Sequence, residues 1–144
     1  MKSHGLRLQR RFPVPAATVF RALTDPAELV RWWGPPDFHP TASVDLREGG
    51  AYRLGMTLPG RRAIATTGVY REVQPPARLA FTWHWEGDRE PETRVEIDLQ
   101  EQAGSTELTL AHGGFAGTFE VANHMQGWTD CLARLARLLT TAPS

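Results

Sequence analysis

Between Gly68 and Trp85 the chain reads GVYREVQPPARLAFTWHW, two strand-like runs on either side of Pro75-Pro76. In the second run Phe81, Trp83 and Trp85 occupy alternate positions. Successive side chains of a strand point to opposite faces, so these three rings share one face. That much aromatic surface has to be covered. The long covering element downstream is the helical pattern Thr118–Leu139, which carries Trp128. A sheet closing over one long helix, with aromatic rings between them, is the architecture these two features demand.

The remaining patterns fit around that pair. Leu6, Leu8 and Phe12 alternate with Arg7, Gln9 and Arg11 in an edge-compatible strand ended by Pro13. Pro15–Thr24 has helical spacing, with Ala16, Val19, Phe20 and Leu23 on one face. Asp25 suits an N-cap and Pro26 the first position of a second short helix, expected to run to about Trp33 and stop at Gly34-Pro35-Pro36. Strands are then expected around Ala42–Leu46, Tyr52–Leu58, Ala63–Val73, Leu79–Trp85, Thr93–Gln100 and Thr106–His112. The clearest alternation is Val95, Ile97 and Leu99 against Arg94, Glu96, Asp98 and Gln100, a strand with one face on a core and one in water. Gly68 suggests a bend or bulge, and Gly113–Gly117 reads as a loop. In the last helix Val121, Met125, Trp128, Leu132, Leu135 and Leu139 recur every three or four residues. Gly127 is expected to let that helix pack closely on the sheet. The order is strand, two short helices, six strands, long helix. Turn-length links favour antiparallel pairing, and the fold class is α+β.

A chain of 144 residues is expected to form one domain, 1–144, with a core over about 6–140. Sixteen basic residues balance sixteen acidic ones, which argues against a nucleic-acid or anionic-membrane binder. Cys131 is the only cysteine, so no internal disulfide can form. No stretch approaches a membrane span, and the N-terminal MKSHGLRLQRRF lacks an apolar signal core; the expectation is a cytoplasmic protein with no membrane insertion.

Several motifs in order resemble a known family. Arg11-Phe12-Pro13-Val14-Pro15 leads into a helix with Val19-Phe20, and a short helix ends Trp32-Trp33-Gly34-Pro35. Glu48-Gly49-Gly50 precedes Tyr52, and Gly68-Val69-Tyr70 continues through Val73, Pro75-Pro76 and Arg78-Leu79 to Phe81-Thr82-Trp83. His124 and Gly127-Trp128 lie on the last helix. Together they resemble the START/Bet v 1-like helix-grip superfamily (SRPBCC), within the subfamily named after the activator of the heat-shock protein 90 ATPase. The resemblance implies a curved antiparallel sheet wrapped around the C-terminal helix. It also implies one cavity that relatives use for lipids, polyketides, hormones, aromatic compounds or client-protein contacts. Fold analogy alone does not choose among these.

The residues nominate a chamber lining: Trp33, Met56, Phe81, Trp83, Trp85, Phe115 and Trp128. Each would serve equally well as plain core. His112, on the inward parity of the last strand, and His124, one turn before Trp128, are the candidate polar contacts, expected to face each other across the cavity mouth. The bland alternative is two partly exposed histidines. With Glu120 they match no metal-ligand spacing, so neither metal nor cofactor is expected. Gly113-Gly114-Phe115-Ala116-Gly117 has neither dinucleotide-fingerprint spacing nor a Walker lysine.

Three functions follow as expectations. The first is a small-molecule binding protein holding an apolar or aromatic ligand between sheet and helix. The second is an aromatase/cyclase-like enzyme with a cavity histidine as base. The third is a stress-response or chaperone-accessory interaction module, with a homodimer among its forms, marked by an exposed apolar patch of several hundred Å².

Overall fold

The computed structural model describes residues 4–60 and 62–141. Strand β1 (His4–Phe12) is followed by helices α1 (Ala16–Thr24) and α2 (Pro26–Leu29) and a 3-10 turn (Pro36–Phe38). Strands β2 (Thr41–Val44), β3 (Ala51–Thr57), β4 (Ala63–Gln74), β5 (Arg78–Trp85), β6 (Thr93–Gln102) and β7 (Ser105–Phe115) come next, and helix α3 (Thr118–Thr141) closes the order. The seven strands form one antiparallel sheet in the order β1-β7-β6-β5-β4-β3-β2. Consecutive strands need only turns, whereas β1 reaches β7 from the far end of the chain. The α+β helix-grip architecture is thus the one the aromatic strand and the long helix called for.

The cross-strand registers place the core. Leu6 pairs with His112, His112 with Val95, Val95 with Phe81 and Phe81 with Tyr70, one row across the inner face. The next row joins Leu8, Leu110, Ile97, Leu79 and Val73. Trp128, Leu132, Leu135 and Leu139 of α3 are buried in the same cluster. On the outer face Arg78 pairs with Glu72, Glu96 and Asp98, and Arg94 with Glu72 and Glu96.

Four local expectations need correction. The second helix ends at Leu29, and Trp32-Trp33 lie in a turn. Their carbonyls are taken by α3: Arg134 Nε donates to Trp32 O at 3.1 Å and Cys131 Sγ to Trp33 O at 3.0 Å. Trp32 Nε1 donates to Ala22 O of α1 at 2.9 Å, which fixes the turn against that helix. Leu46 is not in a strand; β2 stops at Val44, and Leu46 is exposed where Asp45 and Arg47 form a salt-bridged turn. Gly113–Phe115 is strand, because β1 supplies the partners: Gly5 pairs with Gly113 and His4 with Phe115. Only Ala116-Gly117 remain to link β7 to α3. Gly127 does not provide close packing, since a Cβ there would meet nothing within 4 Å.

Gly68 is not the site of the bulge expected there. The β4–β5 bulge itself lies between Tyr70 and Glu72. At Gly68 the need is space: a Cβ would collide with the Thr82 carbonyl and the Tyr52 ring. Around it side chains take over hydrogen bonds between β4 and β5. The Tyr52 hydroxyl donates to Thr82 O, and Val69 N donates to Thr82 Oγ1 at 2.9 Å.

Candidate functional site

A groove of ≈ 620 Å³ runs between the β3–β5 side of the sheet and the N-terminal half of α3. The pleat of β5 brings Trp83 and Trp85 into its wall, β3 brings Met56, and β4 brings Ile64 and Ala65. The turn after α2 brings Trp33. From α3 come Asn123, His124, Gly127, Trp128, Asp130, Cys131 and Arg134, recurring at three- and four-residue spacing as one helix face must. Glu86, Gly87 and Asp88 form part of the rim.

The four tryptophans are packed on one another. Trp83 is central: its ring centroid lies 5.7 Å from that of Trp33, 5.6 Å from Trp85 and 5.2 Å from Trp128. Edge-on and tilted pairs of this kind add to the stabilisation from burial alone. Trp33 and Trp83 each hold a buried indole N–H with no hydrogen-bond partner among the described residues.

Phe81, His112 and Phe115 are absent from this groove's lining. Phe81 packs edge-on against Tyr52 and Tyr70, deeper under the sheet. Phe115 lies 4.4 Å from His112 and 4.7 Å from His124, ring centre to ring centre. His112 is 0% exposed. Trp128 Nε1 donates to its Nδ1 at 3.0 Å, so Nδ1 carries no proton and Nε2 does. Nε2–H then donates to Thr93 Oγ1 at 2.7 Å, and Thr93 donates onward to Trp83 O at 3.2 Å. Both ring nitrogens are satisfied within the protein. Burial, with His124 nearby, pushes the His112 pKa down from 6.5 to about 3. A neutral imidazole tying β7 to β6 and α3 replaces the expected contact at the cavity mouth.

His124 does border the groove. Its Nε2 accepts from Trp85 Nε1 at 3.0 Å, which places the proton on Nδ1, 2.8 Å from Glu120 O. The two histidine rings lie 5.3 Å apart, edge to face, rather than opposed across an opening. Among the described residues no group of three His, Cys, Asp or Glu side chains is placed to hold a metal ion. Burial pushes the Cys131 thiol up to about 11, so it stays protonated at neutral pH.

Sequence reading missed Ile64, Ala65, Asn123, Asp130, Cys131 and Arg134. The α3 members were findable from His124 by helical spacing. What hid them is that the core stripe through Trp128, Leu132 and Leu135 has the same period and a stronger apolar signal.

A curved antiparallel sheet gripping a C-terminal helix, with a groove between them, defines the Bet v 1-like SRPBCC class. Within it the chain belongs to the family described as activator of Hsp90 ATPase homolog 1-like protein, whose model matches residues 13–140. Solved structures agree. The chain is 27% identical to protein CV1439 from Chromobacterium violaceum, with a TM-score of 0.84 over 96% of this chain and 98% of that one. It is 31% identical to the AHSA1 protein SPO3351 from Silicibacter pomeroyi, with a TM-score of 0.82 over 95% and 98%. It is 29% identical to DynU16, a protein of the dynemicin biosynthetic locus, with a TM-score of 0.78 over 95% of this chain and 47% of that one. No curated protein matches the chain in sequence. Members of this fold family are commonly ligand-binding or cyclase-like and generally bind small hydrophobic molecules. No helix among the described residues is long and apolar enough to cross a membrane.

Proposed function

We propose that this protein binds an apolar or aromatic small molecule in the groove between β3–β5 and α3. The observation that carries the reading is a ≈ 620 Å³ space walled by Trp33, Met56, Trp83, Trp85 and Trp128, with His124 at one side. Ligand sites are commonly about 300–1,000 Å³, mostly apolar, with a few polar groups that orient the ligand. The similarity to DynU16, from a biosynthetic locus, supports a small-molecule partner. Phe81, His112 and Phe115 have structural roles in this reading: they hold the sheet and helix that shape the groove.

Native mass spectrometry of the purified protein, paired with tryptophan fluorescence on adding a hydrophobic aromatic probe, tests it. An adduct lost on denaturation, or saturable quenching, is the expected result. A clean apo mass with no quenching at any probe concentration overturns it.

A cyclase-like activity is the second reading, favoured by the position of His124 in the groove wall. His112 is fully buried and lies outside the groove lining, so His124 is the candidate base; its Nε2 becomes free to take a proton once Trp85 releases it. Under this reading His124→Ala abolishes turnover and leaves ligand affinity nearly intact. Loss of affinity alone returns the case to binding.

A further inference from the structure

We propose that the occupant of the groove is an anion, an aromatic or apolar carboxylic acid whose carboxylate is received by Arg134; this rests on the groove being a ligand site. The inference comes from matching donors to acceptors around the wall.

The carboxylates at the rim already have donors. Glu86 accepts from Arg53 Nε at 2.9 Å and Nη2 at 3.1 Å. Asp88 accepts from Glu90 N at 3.1 Å, and Asp130 from Gln126 Nε2 at 3.0 Å. The unmatched groups are donors. The indole N–H groups of Trp33 and Trp83 have no acceptor among the described residues, although both rings border the groove. Both nitrogen atoms are themselves buried, so each unmet donor, a cost of about 1–3 kcal/mol, lies behind the wall rather than on its surface.

Arg134 is the half-buried cation of the wall; Arg62, which also lines the groove, is exposed. Its Nε donates to Trp32 O at 3.1 Å, and its Nη2 approaches Trp33 O at 3.5 Å and Cys131 Sγ at 3.3 Å. These neutral acceptors orient the guanidinium without neutralising it. Among the described residues it makes no ion pair with a carboxylate, and no hydrogen bond is made by its Nη1. Much of the side-chain entropy that ligand capture would cost is already lost in that arrangement. A half-buried planar fork beside aromatic walls suits a carboxylate, and charge-assisted bonds of this type are stronger than neutral ones. An aromatic or apolar body would then lie against Trp83, Trp85 and Met56. A cationic ligand seated against Trp83, Trp85 and Met56 would meet the charge of Arg134, although Asp88 and Asp130, hydrogen-bonded to neutral groups, keep their own charge at the rim.

Three probes of one shape decide it: 2-naphthoate, its uncharged amide 2-naphthamide, and 2-naphthylmethylammonium. Dissociation constants come from tryptophan quenching and calorimetry on the full chain. The expected result is 2-naphthoate at least tenfold tighter than the amide, with the ammonium weakest. In Arg134→Met the acid falls to the level of the amide and the amide is unchanged. Should that variant fail to fold, Arg134→Lys, which keeps the charge without the planar fork, retains only part of the preference. Amide binding as tight as acid binding, tightest binding of the ammonium, or an intact preference in Arg134→Met each overturns the anion inference alone. Failure of all three probes to bind the wild-type protein overturns the small-molecule reading with it.

Discussion

Trp128 on α3 donates its indole N–H to Nδ1 of His112 on β7, at 3.0 Å, and His112 has no exposure to solvent. This bond fixes the tautomer of a neutral histidine at the centre of the structure and anchors the helix beside the groove it helps to wall.

The burial of His112 makes the fold acid-sensitive. The folded-state pKa of His112 is held down to about 3 by burial, with His124 adding to it, against 6.5 for a free histidine. Between those values the unfolded chain takes up a proton that the folded chain refuses, so stability falls as pH drops through this window. The full effect is on the order of 5 kcal/mol, present above about pH 6.5 and lost progressively towards pH 3. Urea unfolding at pH 7, 5.5 and 4.5 should show this decline, and His112→Gln should flatten it. An unchanged slope in the variant means other groups control acid stability.

Trp128 tests the same bond from the other side. Trp128→Ala should destabilise by about 3–5 kcal/mol, since the ring is buried against Trp83 and carries the hydrogen bond. Trp128→Phe keeps most of the packing and should cost about 1–3 kcal/mol by leaving Nδ1 of His112 without its donor. Losses well under 1 kcal/mol for both in chemical denaturation would mean that the ring contributes little to the fold.

At Gly127 the expected change has the opposite sign. The residue is exposed inside a helix, borders the groove, and has open space where a Cβ would go. Gly127→Ala should stabilise by about 0.5–1 kcal/mol, as helix propensity dictates. Gly127→Leu should leave stability near wild type while lowering affinity for a groove-bound aromatic probe at least tenfold. Thermal unfolding and probe titration read the two effects separately, and unchanged affinity in Gly127→Leu would argue against occupancy of this groove.

Gly68 has no such latitude. A Cβ there meets the backbone carbonyl of Thr82, which a change of rotamer cannot relieve. Gly68→Ala should therefore destabilise by at least about 2 kcal/mol, an overpacking cost. Adding Tyr52→Ala should not restore stability, because the Thr82 contact is main chain. Recovery in the double variant would place the whole conflict on the Tyr52 ring.

The chain's own periodicities determined most of the architecture. Phe81, Trp83 and Trp85 at alternate positions, Val95, Ile97 and Leu99 likewise, and the spacing Trp128, Leu132, Leu135, Leu139 each select an element and its buried face. They do so because strand and helix repeats are local properties of the backbone. The tertiary structure decided what those faces meet. Inward parity placed His112 correctly, but its character as a neutral core histidine depends on Trp128 and Thr93, both distant in sequence. Gly113–Phe115 is strand because β1 arrives from the other end of the chain to pair with it. The turn at Trp32-Trp33 is set in part by Arg134 and Cys131, about a hundred residues away, which take its carbonyls. The same contact orients the Arg134 guanidinium at the groove's edge; helical spacing gives the face on which Arg134 lies but not this orientation. Side-chain periodicity is written residue by residue, whereas the partner of a buried polar group is chosen only when distant segments close on one another.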